Sequence, residues 1–233
     1  ILLLLTAHVS SQGVLPDIKS SLLELKNAKK DTSKVILLQE IAAHYIVTHL
    51  DSSKSFSLRG IKLAEEIDFP KGKMLNLNIL GNYYERKTKY DSAFVYYNKA
   101  LDISKSIKSI KGDAIILNNI ATVHIRKAEY SKAIELLFEA LEAEEKLKDE
   151  NGIAQAYNNI GVCYYYMQNF DKTTFYLTKA LSIQEELGNL DGLINGYNNV
   201  GAILDYQKKY DEAITSYNKG LKISRDIKDK KME

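Results

Sequence analysis

Cysteine, proline and tryptophan are scarce in this chain of 233 residues, which contains one cysteine, two prolines and no tryptophan. With Cys163 alone, an intrachain disulfide is excluded. Cys163 occupies a position of an internal repeat that is otherwise apolar or aromatic, so we predict a buried thiol without a nucleophilic role. Pro16 is predicted to open a short helix and Pro70 to lie in a loop, so neither interrupts a helix.

An excess of either charge is also missing. Lys and Arg total 32, Asp and Glu total 30, and the formal net charge is +2. The four arginines are scattered, at Arg59, Arg86, Arg126 and Arg225. This balance provides no basic surface for phosphates, so we expect no nucleic-acid binding by this segment. After the first residues, no run approaches the ~20 apolar residues that span a bilayer, so no membrane span is expected.

Patterns for catalysis and metal binding are lacking as well. The two nearest histidines, His44 and His49, do not have the i, i+4 spacing of a helical metal pair. No glycine-rich phosphate loop follows a strand, and no nucleophile can be matched with a base. We therefore predict that the protein is not an enzyme and has no metal ion or other cofactor. The glutamates of Glu144–Glu145 and Glu185–Glu186 are predicted to be solvated.

The first twelve residues, Ile1–Gln12, have the pattern of the end of a secretory signal peptide. Five aliphatic residues precede small ones, and a cleavage site is predicted directly before Gln12. Residues 1–11 are therefore interpreted as a signal-peptide remnant, which implies a periplasmic or otherwise extracytoplasmic protein. The alternative is an apolar first helix that packs on the rest of the chain.

An internal repeat of 40 residues is the dominant feature of the sequence. Glycines, aromatic residues and small residues each recur at this spacing. The glycines are Gly72, Gly112, Gly152 and Gly192; the aromatics are Tyr90, Tyr130, Phe170 and Tyr210; the small residues are Ala100, Ala140, Ala180 and Gly220. A fixed period of about 20–50 residues predicts a solenoid, in which each unit buries its apolar face on its neighbours. Such a fold presents an extended surface instead of a single catalytic pocket.

Each repeat is predicted to hold two amphipathic helices, because apolar residues recur in two blocks at spacings of three and four. Residues suited to N-caps precede the first block, at Ser109, Asp149, Asn189 and Asp229. A second series is predicted to cap the second helix, at Asp91, Ser131, Asp171 and Asp211. The repeated glycines follow the first caps by three residues, which predicts close approach by the preceding second helix. A column of small residues predicts where paired helices touch; its members are Gly81, Ala121, Gly161 and Gly201.

These columns resemble the tetratricopeptide repeat, whose first helix reads large–x–x–Leu–Gly–x–x–Tyr and whose second reads small–x–x–x–aromatic–x–x–Ala. One repeat supplies Leu77, Leu80, Gly81, Tyr84, Ala93, Tyr97 and Ala100. The resemblance implies an all-α fold, a right-handed α-solenoid of stacked helix–turn–helix hairpins. It places the array at residues 33–228, with a degenerate repeat at 33–72 and further repeats at 73–112, 113–152, 153–192 and 193–228. Residues 12–32 are expected to form an N-terminal helix and linker, and 229–233 to begin another element.

Asparagines are the most persistent polar residues of the predicted first helices. They form an asparagine ladder consisting of Asn78, Asn118, Asn119, Asn158, Asn159, Asn198 and Asn199. Asparagine is a mediocre helix former, so its recurrence in register requires an explanation. One explanation is binding of an extended peptide, because an amide offers one acceptor and two donors to a peptide backbone. The other is that the amides bridge neighbouring helices.

The family resemblance favours the first explanation, because similar ladders hold peptides in O-linked N-acetylglucosamine transferase and kinesin light chain. It implies that first helices line a concave face that binds a protein or an extended peptide. Further candidate contacts on this stripe are Arg86, Arg126, Tyr165, Tyr166 and Tyr206. A carboxylate clamp like that of chaperone cofactors is disfavoured, because it needs lysine where this chain has Asn78 and Asn118.

The combination of a signal peptide, a short helix and 40-residue repeats also resembles the N-terminal region of Bacteroidetes signalling proteins. The leading hypothesis is therefore an extracytoplasmic sensor or interaction module of a larger signalling protein. One alternative is a cytoplasmic peptide-responsive regulator similar to the tetratricopeptide phosphatase regulators of Gram-positive bacteria. Another is a small-molecule sensor in which Tyr165, Tyr166 and Tyr206 form a stacking pocket.

Overall fold

The computed structural model of the protein describes residues 18–230, with side chains to residue 227. This part of the chain forms eleven α-helices and no strand. They are α1 (Ile18–Asn27), α2 (Thr32–Thr48), α3 (Leu50–Glu66), α4 (Pro70–Arg86), α5 (Tyr90–Ser106), α6 (Ile110–Arg126), α7 (Tyr130–Leu147), α8 (Glu150–Tyr166), α9 (Phe170–Leu187), α10 (Leu190–Tyr206) and α11 (Tyr210–Lys230). The predicted all-α helical repeat fold is confirmed. Within residues 18–230, none of the helices combines the length and apolar character required to cross a membrane.

The described residues divide into two compact units, the N-terminal unit (residues 18–123) and the C-terminal unit (residues 124–230). In the N-terminal unit α4 packs on α2, α3 and α5, and α1 packs on α2. Its buried side chains include Leu38 and Ile41 in one cluster and Leu80 in another. In the C-terminal unit α8 packs on α7 and α9, and α10 packs on α9 and α11.

Eight turns between successive helices share one backbone conformation, which recurs every 20 residues. The residues with positive φ are Asp68, Thr88, Lys108, Ala128, Lys148, Gln168, Gly188 and Lys208, with φ from 51° to 63°. The following residue donates its N–H to the carbonyl five positions earlier, as Lys89 does to Tyr84 at 2.9 Å. This bond satisfies a carbonyl that the helix end leaves open. The 40-residue repeat is therefore built from two halves with the same kind of turn.

Three of the four predicted caps of first helices are confirmed. Ser109, Asp149 and Asn189 each accept a hydrogen bond from the backbone N–H of the glycine three positions later, at 3.1 Å. Asp229 instead lies inside α11.

The predicted close approach at the repeated glycines is confirmed for three of them. A Cβ atom at Gly112, Gly152 or Gly192 would overlap a side chain of the preceding second helix. The overlapping side chains belong to Ser104, Glu144 and Gln184. At Gly72 the neighbours are Phe69 and Val35.

The glycines predicted between paired helices also lie at close contacts. A Cβ atom on Gly161 would lie 2.7 Å from Cγ of Leu177, and one on Gly201 would lie 2.7 Å from the ring of Tyr217. Gly81 meets the ring of Tyr97 in the same way.

The predicted caps of the second helices were wrong. These helices begin two residues earlier than such caps imply, at Tyr90, Tyr130, Phe170 and Tyr210. Asp91, Ser131, Asp171 and Asp211 therefore occupy the second helical position. There a carboxylate favours the helix through the positive end of its dipole. The left-handed turn, which leads directly into the helix, moves the N-cap to residues such as Lys89 and Asn169.

Two smaller predictions were also wrong. Glu144 is only 4% exposed, because its side chain packs over the backbone of Gly152. Glu145, Glu185 and Glu186 are exposed as predicted. Pro70 is the first residue of α4 and not part of a loop, at a position where the missing N–H costs no helical hydrogen bond.

Candidate functional site

The asparagine ladder lies on the first helices α4, α6, α8 and α10, and most of it is buried. Asn78, Asn118, Asn119, Asn158, Asn159 and Asn199 are between 0% and 7% exposed. Asn198 is half-buried. A ligand can therefore reach Asn198 more readily than its neighbour Asn199.

Two pairs of ladder residues join successive first helices, one pair in each unit. In the N-terminal unit Asn119 Nδ2 donates to Asn78 Oδ1 at 2.9 Å, which links α6 to α4. In the C-terminal unit Asn199 Nδ2 donates to Asn158 Oδ1 at 2.9 Å, which links α10 to α8. Buried amides normally need such partners. These pairs fit the explanation that the amides bridge neighbouring helices. Contact between the ladder and a peptide stays a prediction.

The two arginines predicted on the same stripe lie at the C-terminal ends of α4 and α6, and both are exposed. Arg86 Nε donates to the backbone oxygen of Ile46 at 3.1 Å. This bond holds the base of the guanidinium against α2.

Near the C-terminal end of α6, His124 Nδ1 lies 2.7 Å from Glu129 Oε2 across the turn that follows the helix. This hydrogen bond, with smaller help from Lys132 and Lys127, lowers the pKa of Glu129.

The three predicted tyrosines lie together in the C-terminal unit. The ring centroid of Tyr165 lies 5.5 Å from that of Tyr166 and 5.8 Å from that of Tyr206, both at steep angles. Phe170, at the start of α9, lies 4.9 Å from Tyr206. Tyr130, at the start of α7, stacks on Tyr166 at 5.4 Å. The ends of two first helices and the starts of two second helices thus form one cluster of five rings.

Sequence analysis did not select three residues of this region as candidate contacts, namely Tyr130, Phe170 and Asp205. Phe170 belongs to the repeated aromatic column, which was taken as a mark of the repeat and not as part of a site. Asp205 precedes Tyr206 on α10 and is half-buried. Burial, the neighbouring tyrosines and the Asp205 carboxylate together raise the pKa of Tyr165, so its phenol stays protonated at neutral pH. The direct adjacency of Asp205 and Tyr206 in the sequence could have pointed to this combination.

Cys163 and the possible metal ligands are the remaining side chains with chemical potential in the described part of the chain. Cys163 is buried as predicted, and desolvation raises its pKa to about 12, so the reactive thiolate does not form at neutral pH. Among residues 18–227, no group of three or more His, Cys, Asp or Glu side chains is placed to hold a metal ion.

Comparison with known proteins identifies the repeat. The sequence profile of the tetratricopeptide repeat matches residues 73–146 and 152–226. A search among curated proteins finds no match.

Solved structures of low sequence identity share the fold. BtubC (BKLC) from P. vanneervenii is 21% identical, with a TM-score of 0.73, over 96% of this chain and 93% of that chain. A Rap protein, solved in complex with Competence and Sporulation Factor, is 20% identical, with a TM-score of 0.79. That match covers 94% of this chain but 61% of the Rap chain. Nearly identical TPR-like repeats of a putative kinesin light chain from Podosopora anserina are 11% identical, with a TM-score of 0.63, over 84% of this chain and 97% of that chain. At these identities the similarity concerns the fold alone.

Proposed function

Because the chain belongs to the tetratricopeptide repeat family, we propose that it is a non-catalytic scaffold that binds an extended peptide or a segment of a partner protein. In each unit, the proposed binding surface is the stripe on the first helices that carries the ladder asparagines of that unit. In the N-terminal unit this stripe includes Arg86, and in the C-terminal unit it includes Arg126 and the three tyrosines.

One observation supports this choice of surface above all. The asparagine pairs themselves bridge helices, and their support concerns alignment. Within each unit a pair joins consecutive first helices at equivalent positions, so the accessible residues of the stripe follow one another from helix to helix. An extended chain needs such a periodic row of contacts. Half-buried or exposed side chains on this row, such as Asn198 and Tyr206, are available to a ligand.

We further propose that the scaffold is the extracytoplasmic sensor or interaction module of a larger signalling protein. The apolar N-terminal run and the predicted cleavage site before Gln12 support export; both lie outside the described residues. Export is tested by expressing the full-length protein in its native host. The proposal predicts recovery outside the cytoplasm with an N-terminus near Gln12, and a cytosolic protein that retains residues 1–11 would contradict it.

The main alternative is a cytoplasmic peptide-responsive regulator. The similarity in fold to the Rap protein, whose structure contains a bound factor, favours this second candidate. The small-molecule alternative depends on the tyrosine cluster, where the rings already pack on one another.

Peptide binding is tested by selecting a phage-displayed library of random 12-residue peptides against the purified 233-residue chain. Selected peptides should lose affinity for a Tyr166→Ala variant. They should bind normally to Phe175→Ala, a matched loss of an aromatic ring on a second helix, where Phe175 is 53% exposed. Failure to select any peptide, or equal loss in both variants, would contradict the proposed surface.

A further inference from the structure

We propose that the tyrosine cluster and Asp205 bind a lysine or arginine side chain of the peptide. This site, called the cation site below, consists of Tyr165, Tyr166, Phe170, Asp205 and Tyr206. The proposal rests on the peptide-binding function above and specifies which kind of side chain the C-terminal unit selects.

The carboxylate of Asp205 is the first reason. It is half-buried, and among the residues that the structure describes it accepts no hydrogen bond and forms no ion pair. Lys172, on α9, is directed to Tyr164, with its Nζ 3.4 Å from the hydroxyl and 4.8 Å from the ring centroid. A carboxylate partly removed from water and lacking a counter-ion favours a ligand that carries positive charge and N–H donors.

Unpaired hydroxyls are the second reason. In the described part of the chain, the phenols of Tyr165, Tyr166 and Tyr206 have no hydrogen-bond partner. Two other tyrosines show the bonds that a phenol can make: Tyr97 donates to Asn82 at 2.6 Å, and Tyr197 donates to Glu185 at 2.8 Å. Each unpaired hydroxyl is therefore free to donate to, or accept from, a polar ligand.

The rings themselves are the third reason. Tyr206 is 50% exposed, while Phe170 and Tyr165 support it from the protein side at 4.9 and 5.8 Å. A lysine or arginine cation is attracted to a tyrosine face within about 6 Å of the ring centroid. Arginine can in addition stack its planar guanidinium on the ring while donating to a carboxylate.

Charge distinguishes this ligand from the other choices. An acidic side chain would be repelled by Asp205, and a neutral donor could hydrogen-bond to the carboxylate but would leave its charge without a counter-ion. The site therefore selects a basic residue over both.

The test begins with peptides selected from the random library on the wild-type chain. The proposal predicts that they share a lysine or arginine. Replacing that arginine by citrulline, which keeps the shape but removes the charge, should weaken binding about tenfold or more in a calorimetric titration. Asp205→Asn should cause a similar loss for the arginine peptide and little change for the citrulline peptide.

Two control variants accompany this test. Glu186→Gln removes one negative charge from the far end of α9, about 24 Å along the helix from Phe170, and should leave affinity unchanged. Tyr206→Phe, which keeps the ring, should retain more affinity than Tyr206→Leu.

The outcomes separate this proposal from the function on which it rests. Selected peptides that are neutral or acidic, or that bind Asp205→Asn as well as wild type, would overturn the cation site and leave peptide binding intact. A library that yields no peptide at all would overturn both.

Discussion

Replacing Asn199 by alanine should loosen the C-terminal unit, whereas the same change at its neighbour Asn198 should not. Asn199 is 1% exposed and donates to Asn158 across the contact between α10 and α8. Without this donor the buried oxygen of Asn158 loses a partner that water cannot easily replace, which costs about 1–3 kcal/mol. Asn198 is half-buried, so water can replace what its amide loses.

Cys163 provides the assay, because it lies on α8 five residues after Asn158. Its side chain is 0% exposed and its pKa is about 12, so a thiol reagent reacts only after this region opens. If opening is fast and reversible, a loss of 1–3 kcal/mol should raise the labelling rate about 5- to 150-fold. Asn198→Ala should stay within about twofold of wild type, the change expected for a surface substitution.

The double variant Asn158→Ala/Asn199→Ala completes the experiment. If the two amides stabilise the unit through their mutual bond, the double variant should be less destabilised than the sum of the single changes. Equal labelling of the Asn198 and Asn199 variants, or labelling of both at the wild-type rate, would refute the bridging role.

Three further predictions concern turns, packing and pH. Ala128→Gly should stabilise the fold by about 1 kcal/mol in denaturant unfolding, and Gly188→Ala should destabilise it by a similar amount. Both positions have positive φ, which favours glycine. A Cβ atom added at Gly188 meets no atom within 4 Å, so the effect there comes from the backbone conformation. Gly161→Leu should destabilise its own and adjoining repeats by about 1–3 kcal/mol through overpacking on Leu177, seen as locally lost hydrogen-exchange protection. The pKa of Glu129 is lower in the folded protein than in the unfolded chain. The ionised carboxylate therefore stabilises the fold at pH values above the usual glutamate pKa of about 4.3, and this stabilisation disappears as the pH falls through the pKa of Glu129 in the folded protein. In acid titrations monitored by circular dichroism, Glu129→Gln should therefore lose less stability than wild type.

Different results would count against each of these predictions. If Ala128→Gly and Gly188→Ala shift stability in the same direction, the turn conformation does not control it. Uniform loss of exchange protection across residues 33–227 in Gly161→Leu would contradict local packing. Parallel acid-unfolding curves for wild type and Glu129→Gln would exclude the His124 hydrogen bond as a source of stability.

The sequence was sufficient to predict the helical repeat and much of its packing. Gly112 and Gly161 belong to repeated columns of small residues, and both lie where two helices approach closely, so the repeat pattern was enough to predict these contacts. Ser109 and Asp149 are residue types that act as caps in most contexts, and both do so here.

Other features depend on the three-dimensional path of the backbone. Asp91 has a capping side chain, yet the left-handed turn at Thr88 lets α5 begin at Tyr90, two residues earlier than a cap at Asp91 implies. Glu144 is charged, yet the absence of a side chain at Gly152 creates the space that buries it. Neither effect can be deduced from residue type alone.

The candidate site was predicted in part. Sequence analysis placed Tyr165, Tyr166 and Tyr206 on one stripe, and the structure brings their rings together. It did not predict how the asparagine amides pair, because Asn119 and Asn78 are 41 positions apart and belong to different helices. It did not select Asp205 as a binding residue, because only the structure shows that no side chain among the described residues pairs with this carboxylate.

Photo-cross-linking of a library-selected peptide tests the central claim most directly. A photoreactive phenylalanine analogue is introduced at Tyr206 on first helix α10 or, as the matched control, at Phe175 on second helix α9; both native side chains are about half exposed. The account predicts that the peptide cross-links to the analogue at position 206 and not to that at position 175. Cross-linking at position 175 alone would place the ligand on the second helices and contradict the proposed binding surface.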